Sequence, residues 1–209
     1  MSTSTRGSAA ESVDFDGLTI RFDDRVLRPR PWTVAQSRWV AELLPDLPDG
    51  PVLELCAGAG QIGLAAVARS TRALVCVEAD PVAAAYVVQN AEASGLADRV
   101  EVRQAPMSDA LRPGEVFAAV VADPPWVPRA ETGRFPEDPL TAIDGGDDGL
   151  DTARECLAVI GRHLTAGGVA LLQLGSTEQV GSLERELSAA ALVACEVRTY
   201  ERGVLALLA

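Results

Sequence analysis

Residues 52–63 read Val-Leu-Glu-Leu-Cys-Ala-Gly-Ala-Gly-Gln-Ile-Gly, an apolar run that leads into a glycine-rich stretch. The apolar residues 52–56 predict a buried strand, and residues from 61 to about 69 predict a helix. Gly58 and Gly60 let the backbone approach a bound group closely, and the amino end of a helix favours negative charge. The stretch therefore predicts a ligand-binding loop between a strand and a helix. A tight turn without a ligand is the simpler interpretation of the same residues.

Strands and helices continue to alternate on both sides of this loop. Strands are predicted at 52–56, 73–78, 99–103, 117–123, 169–174, 193–199 and 204–208, and helices at about 61–69, 81–94, 150–164 and 177–190. This order predicts an α/β fold with a seven-stranded, mostly parallel sheet and helices on both of its faces. Only a short turn separates the last two strands, so they must form an antiparallel hairpin at the sheet edge.

The segment before the glycine loop predicts three small features. Residues 1–12 are small and polar, which indicates a disordered tail. Alternating apolar residues around an Asp-Gly pair predict a hairpin over 13–22. Thr33 is the predicted N-cap of a helix over about 34–44.

Length and composition exclude several kinds of chemistry. The chain has 209 residues, and we expect one domain over 13–209 that begins with the hairpin and helix of residues 13–45. All 18 basic residues are arginine, which excludes a Schiff-base lysine and a Walker-A phosphate loop. A single histidine, His163, excludes a multi-histidine metal site, and we expect no metal. The net charge of −12 argues against a general nucleic-acid binder.

The four cysteines, Cys56, Cys76, Cys156 and Cys195, are far apart in sequence and lie in apolar surroundings. They predict reduced thiols in the core of a cytoplasmic protein, because no signal peptide begins the chain. The sequence has no apolar run of the roughly 20 residues that a membrane span needs.

Two acidic residues narrow the choice of ligand for the glycine loop. Glu78 ends the strand after the loop, where a carboxylate can accept both hydroxyls of a ribose. Glu54 precedes the loop and would repel the pyrophosphate of a dinucleotide, but it could meet the ammonium of a methionine moiety, directly or through water. These residues favour S-adenosylmethionine over a dinucleotide. The pattern also resembles the first motif of class I methyltransferases, acid-x-x-x-Gly-x-Gly.

Asp123-Pro124-Pro125-Trp126 follows the fourth strand of the predicted sheet, at the edge where such sheets bind ligands. The prolines stiffen the turn and remove two N–H donors. The Asp123 carboxylate and the Pro124 carbonyl can both accept from an NH₂ group and so direct its lone pair. Trp126 can stack on a planar acceptor and attract developing positive charge. A rigid turn with a buried Trp is the alternative interpretation.

Gly-x-Gly followed by Asn/Asp-Pro-Pro-aromatic resembles amino-group methyltransferases, and further motifs resemble the HemK-type glutamine methyltransferases that modify translation release factors. These motifs are Val-Leu-Arg-Pro-Arg-Pro at 26–31, Asp-Gly-Gly-Asp-Asp-Gly-Leu-Asp at 144–151, Gly167-Gly168, and Gln173-Leu174-Gly175 with Gln179. The resemblance covers residues 13–209 and implies a Rossmann-like class I methyltransferase fold. It implies S-adenosyl-L-methionine as cofactor, with S-adenosyl-L-homocysteine as product. The implied cofactor site comprises Glu54, Cys56, Ala57, Gly58, Gly60, Gln61, Glu78, Ala79 and Asp123, and the implied catalytic residues are Asp123, Pro124, Pro125 and Trp126.

Three features depart from the family pattern. We expect only a short hairpin before the catalytic domain, in place of the amino-terminal helical domain that binds substrate in the family. The family motif is Asn-Pro-Pro-Tyr, whereas this chain has Asp123 and Trp126, and an ionised Asp cannot donate a hydrogen bond. The Gly-Asp that the family has near the adenine is replaced by residues 104–109, Gln-Ala-Pro-Met-Ser-Asp.

The leading hypothesis is methyl transfer to an amide or amine nitrogen of a protein or peptide. An adenine-N6 or ribosomal RNA methyltransferase is an alternative, as are a small-molecule methyltransferase and a cofactor-binding partner subunit. The acidic charge favours a protein, peptide or small amine over a nucleic acid, and no membrane is implicated.

Three further groups of residues have two interpretations each. His163 is expected on the solvent side of its helix or in a supporting position. The acids of residues 137–151 form either a solvated loop that caps a helix or a mobile lid that welcomes a cationic substrate. Arg21, Arg25, Arg28 and Arg30 either pair with those acids or hold a substrate carboxylate.

Overall fold

One hairpin and one seven-stranded sheet contain all the strands of residues 10–209. A computed structural model describes these residues, so the first nine residues of the predicted tail lie outside the described part. The strands are β1 Glu11–Phe15, β2 Leu18–Phe22, β3 Val52–Leu55, β4 Leu74–Glu78, β5 Val100–Gln104, β6 Phe117–Ala122, β7 Leu164–Leu174, β8 Ala194–Thr199 and β9 Val204–Leu208. The helices are α1 Val34–Leu43, α2 Gln61–Val67, α3 Pro81–Ala93, α4 Leu140–Ile143, α5 Asp151–His163, α6 Thr177–Ser182 and α7 Glu184–Ala189.

The order of the strands brings three carboxyl ends together. Across the sheet the order is β5-β4-β3-β6-β7-β9-β8, with neighbours parallel from β5 to β7. Leu55, the last residue of β3, lies opposite both Val77 on β4 and Ala122 on β6. Glu78 and Asp123 therefore come to the same edge as the glycine loop. β9 is antiparallel to β7 and β8, which confirms the predicted terminal hairpin.

Each face of the sheet is covered by its own apolar cluster. On one face α1, α2, α3 and the β1–β2 hairpin pack together through residues that include Ile62 and Phe15. On the other face α5, α6 and α7 pack through residues that include Leu157 and Leu187. The predicted α/β fold with helices on both faces is confirmed.

Most elements lie within two residues of their predicted bounds, and two differ by more. β7 begins at Leu164 rather than 169, because Leu164 already pairs with Phe117 across an irregular register. The predicted helix over 177–190 is two short helices that meet at Leu183. Gly181 and Ser182, which precede this break, are weaker helix formers than the residues around them.

The amino-terminal segment also corrects two predictions. β1 begins at Glu11, so Glu11 and Ser12, assigned to the tail, instead pair with β2. Thr33 does not cap α1 through its side chain, because its hydroxyl donates to the Arg30 carbonyl oxygen at 2.9 Å.

Burial decides two expectations from the sequence. Of the two positions expected for His163 the supporting one is found, because the residue is buried and its Nδ1 donates to the Glu115 carbonyl oxygen at 2.7 Å. Cys195 is exposed rather than in the core, because it lies on the edge strand β8. All four cysteines are free thiols. Within residues 10–209, no helix combines the length and apolar character that crossing a membrane requires.

Candidate active site

The loop between β3 and α2 turns sharply through left-handed backbone. Cys56, Gly58 and Gly60 have φ values of +57°, +55° and +79°. At Gly60 a Cβ would lie 2.8 Å from Val87 Cγ1 on α3, so a side chain fits neither the space nor the backbone. At Gly58 the space is open, because no heavy atom lies within 4 Å of a Cβ placed there. The loop is therefore tight against α3 at one glycine and open at the other.

Glu78 ties the end of β4 to this loop. Its Oε2 accepts a hydrogen bond from the Gly58 N–H at 2.7 Å, and its Oε1 accepts from the Asp80 N–H at 2.9 Å. Burial raises the pKa of the Glu78 carboxyl above its ordinary value. The carboxylate is thus fixed in place, and its remaining lone pairs can accept from a ligand hydroxyl.

Glu54, which the sequence places beside a bound methionine moiety, packs against α2 in the structure. Its carboxylate is buried against α2, where Oε1 accepts from the Gly63 N–H at 2.9 Å and Oε2 accepts from the Cys76 thiol at 3.3 Å. Burial raises the pKa of Glu54 to about 7. The side chain points from β3 to the face of the sheet that α2 covers and is not part of the lining of the neighbouring cavity. Glu54 instead holds α2 against the sheet.

A cavity of about 510 Å³ opens beside the glycine loop and Glu78. Of the residues predicted to bind a cofactor, it is lined by Cys56, Gly58, Gln61, Glu78, Ala79 and Asp123, whereas Glu54, Ala57 and Gly60 lie behind its wall. The Gln61 Oε1 atom is buried and accepts no hydrogen bond within residues 10–209. We refer to this space as the cofactor cavity. Its volume is within the ~300–1,000 Å³ of ordinary ligand pockets.

The Asp123–Trp126 motif leaves the sheet at the end of β6 and is held by two neighbouring segments. The Gln179 side chain bridges them, since its Oε1 accepts from the Gly175 N–H at 2.8 Å and its Nε2 donates to the Trp126 carbonyl oxygen at 3.0 Å. The Trp126 ring packs on Gly175, where a Cβ would come within 2.5 Å of Cε3. Gly149 passes close on the other side, with a Cβ position 2.4 Å from the Trp126 carbonyl oxygen. Gly149, Gly175 and Gln179, which belong to motifs shared with the HemK-type family, thus fix the position of Trp126.

A second cavity of about 390 Å³ lies on the other side of this motif. Pro124, Pro125 and Trp126 all line it, together with the aromatic rings of Trp32 and Phe135. We refer to it as the acceptor cavity. The two cavities share four residues, which are Leu27, Asp123, Pro125 and Ala142. The shared residues make a thin wall, so molecules in the two cavities would meet at Asp123.

Asp123 is the charged residue of this shared wall. Burial raises the pKa of its carboxyl to about 7. Asp123 is partly buried and faces both cavities, and no backbone or side-chain group of residues 10–209 donates a hydrogen bond to it. The structure therefore presents a carboxylate whose hydrogen-bonding capacity is unused by the protein itself.

A family model described as conserved hypothetical protein 95 matches residues 17–132, more than half of the chain. The chain belongs to this family. The matched part of the chain runs from the β1–β2 turn through the glycine loop to the residues just after the Asp-Pro-Pro-Trp motif.

Curated proteins with similar sequences include glutamine methyltransferases. The family member is 34% identical over 75% of its length to a release factor glutamine methyltransferase of Gloeobacter violaceus, of which it covers 57%. It is 30% identical over 78% of its length to a ribosomal protein uL3 glutamine methyltransferase of Francisella tularensis subsp. tularensis, of which it covers 54%. The chain thus spans little more than half the length of these relatives. The resemblance to glutamine methyltransferases is confirmed as a relationship of sequence.

The fold of this conserved hypothetical protein 95 member is that of class I methyltransferases. A ribosomal protein L11 methylase of Lactobacillus delbrueckii subsp. bulgaricus superposes with a TM-score of 0.66, over 90% of this chain and 82% of that one. The two are only 12% identical, so the likeness concerns the fold. The predicted class I methyltransferase fold is confirmed.

Two segments of the protein line both cavities, and an ion pair joins them. We refer to these two segments together as the roof. Leu27 belongs to the first segment, residues 25–33, and Ala142 to the second, residues 134–143. Between them the guanidinium of Arg30 pairs with the carboxylate of Asp138, whose side chain is only 8% exposed. Of the two alternatives predicted for the arginines, Arg30 thus shows the pairing with an acid of the 137–151 loop.

Most other acids of the 137–151 loop are also paired. Asp144 and Asp147 pair with Arg129, and Asp148 and Asp151 pair with Arg154. Asp148 also accepts from the Leu150 N–H at 3.1 Å at the start of α5. The pairing favours a solvated loop over a lid with free negative charge, although no side chain caps the amino end of α5, where Leu150 is the N-cap residue.

Sequence reasoning missed several residues of the acceptor cavity. Phe135 and Ala142 line it from a segment without a motif, and Trp32 lines it from the position just after the 26–31 motif. Leu27 lies within the 26–31 motif, but that motif alone does not show which side chains face a ligand. Residues 104–109 do reach the cofactor cavity, where Ala105, Pro106 and Met107 are part of the lining.

Proposed function

We propose that this protein is an S-adenosylmethionine-dependent methyltransferase that acts on an amide or amine nitrogen of a protein or peptide. The observation that carries the proposal is the wall shared by the two cavities. A methyl donor in one cavity and an acceptor nitrogen in the other would face each other across Asp123 and Pro125. The sequence relationship to glutamine methyltransferases supports this reaction, which would place the protein in the cytoplasm with the translation machinery.

The cofactor cavity fits S-adenosylmethionine at three points. The Glu78 carboxylate can accept from the ribose hydroxyls, and the open space at Gly58 lets the backbone approach the ligand. The buried Gln61 Oε1, which lacks a donor within residues 10–209, can accept from the ammonium of the methionine moiety. When bound, this cofactor supplies a methyl group on a positively charged sulfur.

The acceptor cavity can orient a nitrogen through groups that accept hydrogen bonds. The Asp123 carboxylate and the Pro124 carbonyl can accept the hydrogens of an NH₂ group, which directs its lone pair toward the cofactor cavity. Trp126, seated on Gly175, offers an aromatic surface beside that nitrogen. Positioning of this kind accounts for much of the rate of a displacement reaction.

Binding of S-adenosylmethionine to the purified full chain, measured by titration calorimetry, tests the proposal. We expect binding to one site, and we expect Glu78→Gln to weaken it about tenfold or more, because a charge-assisted hydrogen bond is lost. Glu92→Gln, an exposed site on α3, is the matched control and should leave the affinity unchanged. Absence of binding, or equal affinities of the two variants, would contradict the proposal.

A further inference from the structure

Asp123 distinguishes two chemical classes of nitrogen that could enter the acceptor cavity. An amide nitrogen is neutral and is accompanied by a carbonyl oxygen, which needs a hydrogen-bond donor. A primary amine is protonated at neutral pH, has no free lone pair, and must lose a proton before it can form a new bond. A site for the amine therefore needs a proton acceptor, and a site for the amide needs a donor.

The shared wall supplies a proton acceptor. Pro124 and Pro125 have no N–H, and an ionised Asp123 carboxylate only accepts. The carboxylate has no hydrogen-bond partner within residues 10–209, so no protein group competes with a ligand for it. The amide of an asparagine at this place would offer a donor but could not take up a proton.

The remaining surface of the acceptor cavity also suits a cation. Among the described residues, arginines already lie over the Trp32 ring, with Arg30 and Arg202 at 5.6 and 5.5 Å from its centre. Trp126 and Phe135 add two rings over which no arginine lies in the described part of the chain. Aromatic faces attract ammonium groups, most strongly where water is excluded. Three arginines line the cavity: Arg30 pairs with Asp138 and Arg134 pairs with Glu131, while Arg202 lies over Trp32. The acids Asp123 and Glu137 also line it, so the arginine charge is balanced.

We infer that the acceptor is a primary amine and that Asp123 takes up its proton. This inference rests on the proposed function and names the substrate class of that site. The ammonium gives one proton to the Asp123 carboxylate, which leaves a neutral amine and a carboxylic acid. The nitrogen lone pair then forms a bond to the methyl carbon while the carbon–sulfur bond breaks, and that electron pair stays on sulfur. The products are a protonated methylamine and a neutral thioether.

The acidity of Asp123 suits this role. Burial raises the pKa of its carboxyl to about 7, which lies closer to that of an amine than the ordinary value of 3.8. An α-amino group, with a pKa of about 8, would be matched to within about one unit.

The experiment compares three small probes that fit the cavity: butylamine, butyramide and adenosine. Methyl transfer is measured at saturating S-adenosylmethionine, and probe binding is measured separately by ligand-observed NMR without the cofactor. We expect methylation of butylamine at least tenfold faster than of butyramide or adenosine. Asp123→Asn should slow the amine reaction about 100-fold or more and weaken butylamine binding about tenfold, without weakening butyramide binding.

The control is Asp147→Asn, the same change of charge at a side chain that is 97% exposed, which should alter neither ratio. Faster methylation of butyramide or adenosine would overturn the inference, as would an Asp123→Asn variant that keeps the preference for amine. Methylation of none of the probes by a protein that binds the cofactor would also overturn it. Failure to bind S-adenosylmethionine at all would instead overturn the proposed function, so the two failures are distinguishable.

Discussion

At the scale of single residues, several glycines are required by what approaches them rather than by the turns they make. Gly63 lies inside α2, where a glycine ordinarily costs stability relative to alanine. A Cβ there would lie 2.4 Å from Glu54 Oε2 and 2.9 Å from Glu54 Cδ. The glycine is therefore explained by the buried carboxylate that its N–H binds.

Gly63→Ala should destabilise the protein by about 1–3 kcal/mol, because the added methyl group collides with a carboxylate that has no room to move. Gly181→Ala in α6 is the matched control, since nothing lies within 4 Å of its Cβ position. That change should leave stability unchanged or raise it by up to about 1 kcal/mol. Urea unfolding of both variants measures the difference. Equal free energies of unfolding would show that α2 can shift away from Glu54.

At the scale of elements, the sequence predicted the strands far better than the roof of the site. β6, for example, is buried on both faces, so all six of its residues are apolar and predict a strand unambiguously. The loop, Glu78 and the Asp-Pro-Pro-Trp motif were correctly placed at one edge, because parallel strands end on the same side. The orientation of Glu54 was missed, since it depends on how α2 packs rather than on spacing along the chain.

The roof could not be predicted because distant segments build it. Arg30 and Asp138 are joined across more than a hundred residues, and no local pattern signals such a pair. The acids near Asp138 resemble a free charge cluster in the sequence, whereas in the structure most of them are paired with arginines. Long-range pairing of this kind is visible only once the fold has brought the segments together.

Asp138→Asn should loosen the roof without unfolding the domain. The Asp138 side chain is almost fully buried, so loss of its charge leaves Arg30 without a partner between residues 25–33 and 134–143. We expect amide hydrogen exchange in 134–143 to become about tenfold faster, while global stability falls by no more than about 1 kcal/mol. Glu11→Gln removes an exposed pair with Arg28 and should leave exchange in that segment unchanged. Unchanged exchange in Asp138→Asn would mean that apolar contacts alone hold the roof closed.

At the scale of the whole molecule, buried acids near the carboxyl ends of the strands make stability depend on pH. Burial raises the pKa of Glu54 and of Asp123 to about 7 each, and it raises the pKa of Glu78 as well. Asp23 and Glu115 behave oppositely, because neighbouring arginines lower the pKa of each to about 2. The two groups of acids therefore act in separate ranges of pH.

Between pH 5 and pH 8 the acids with raised pKa values bind more protons in the folded protein than in the unfolded chain. The folded protein holds these protons more tightly than the unfolded chain, so their contribution to stability is complete below about pH 4 and is lost as the pH rises through about 7. The free energy of unfolding should thus be higher at pH 5 than at pH 8 by about 2 kcal/mol or more. Glu54→Gln keeps an acceptor for the Gly63 N–H and removes one of these protons, so it should reduce the difference by about a third to a half. Asp147→Asn, an exposed change of the same charge, should not reduce it. Urea unfolding at both pH values measures the difference, and an undiminished difference in Glu54→Gln would show that Glu54 is ionised in the folded protein throughout this range.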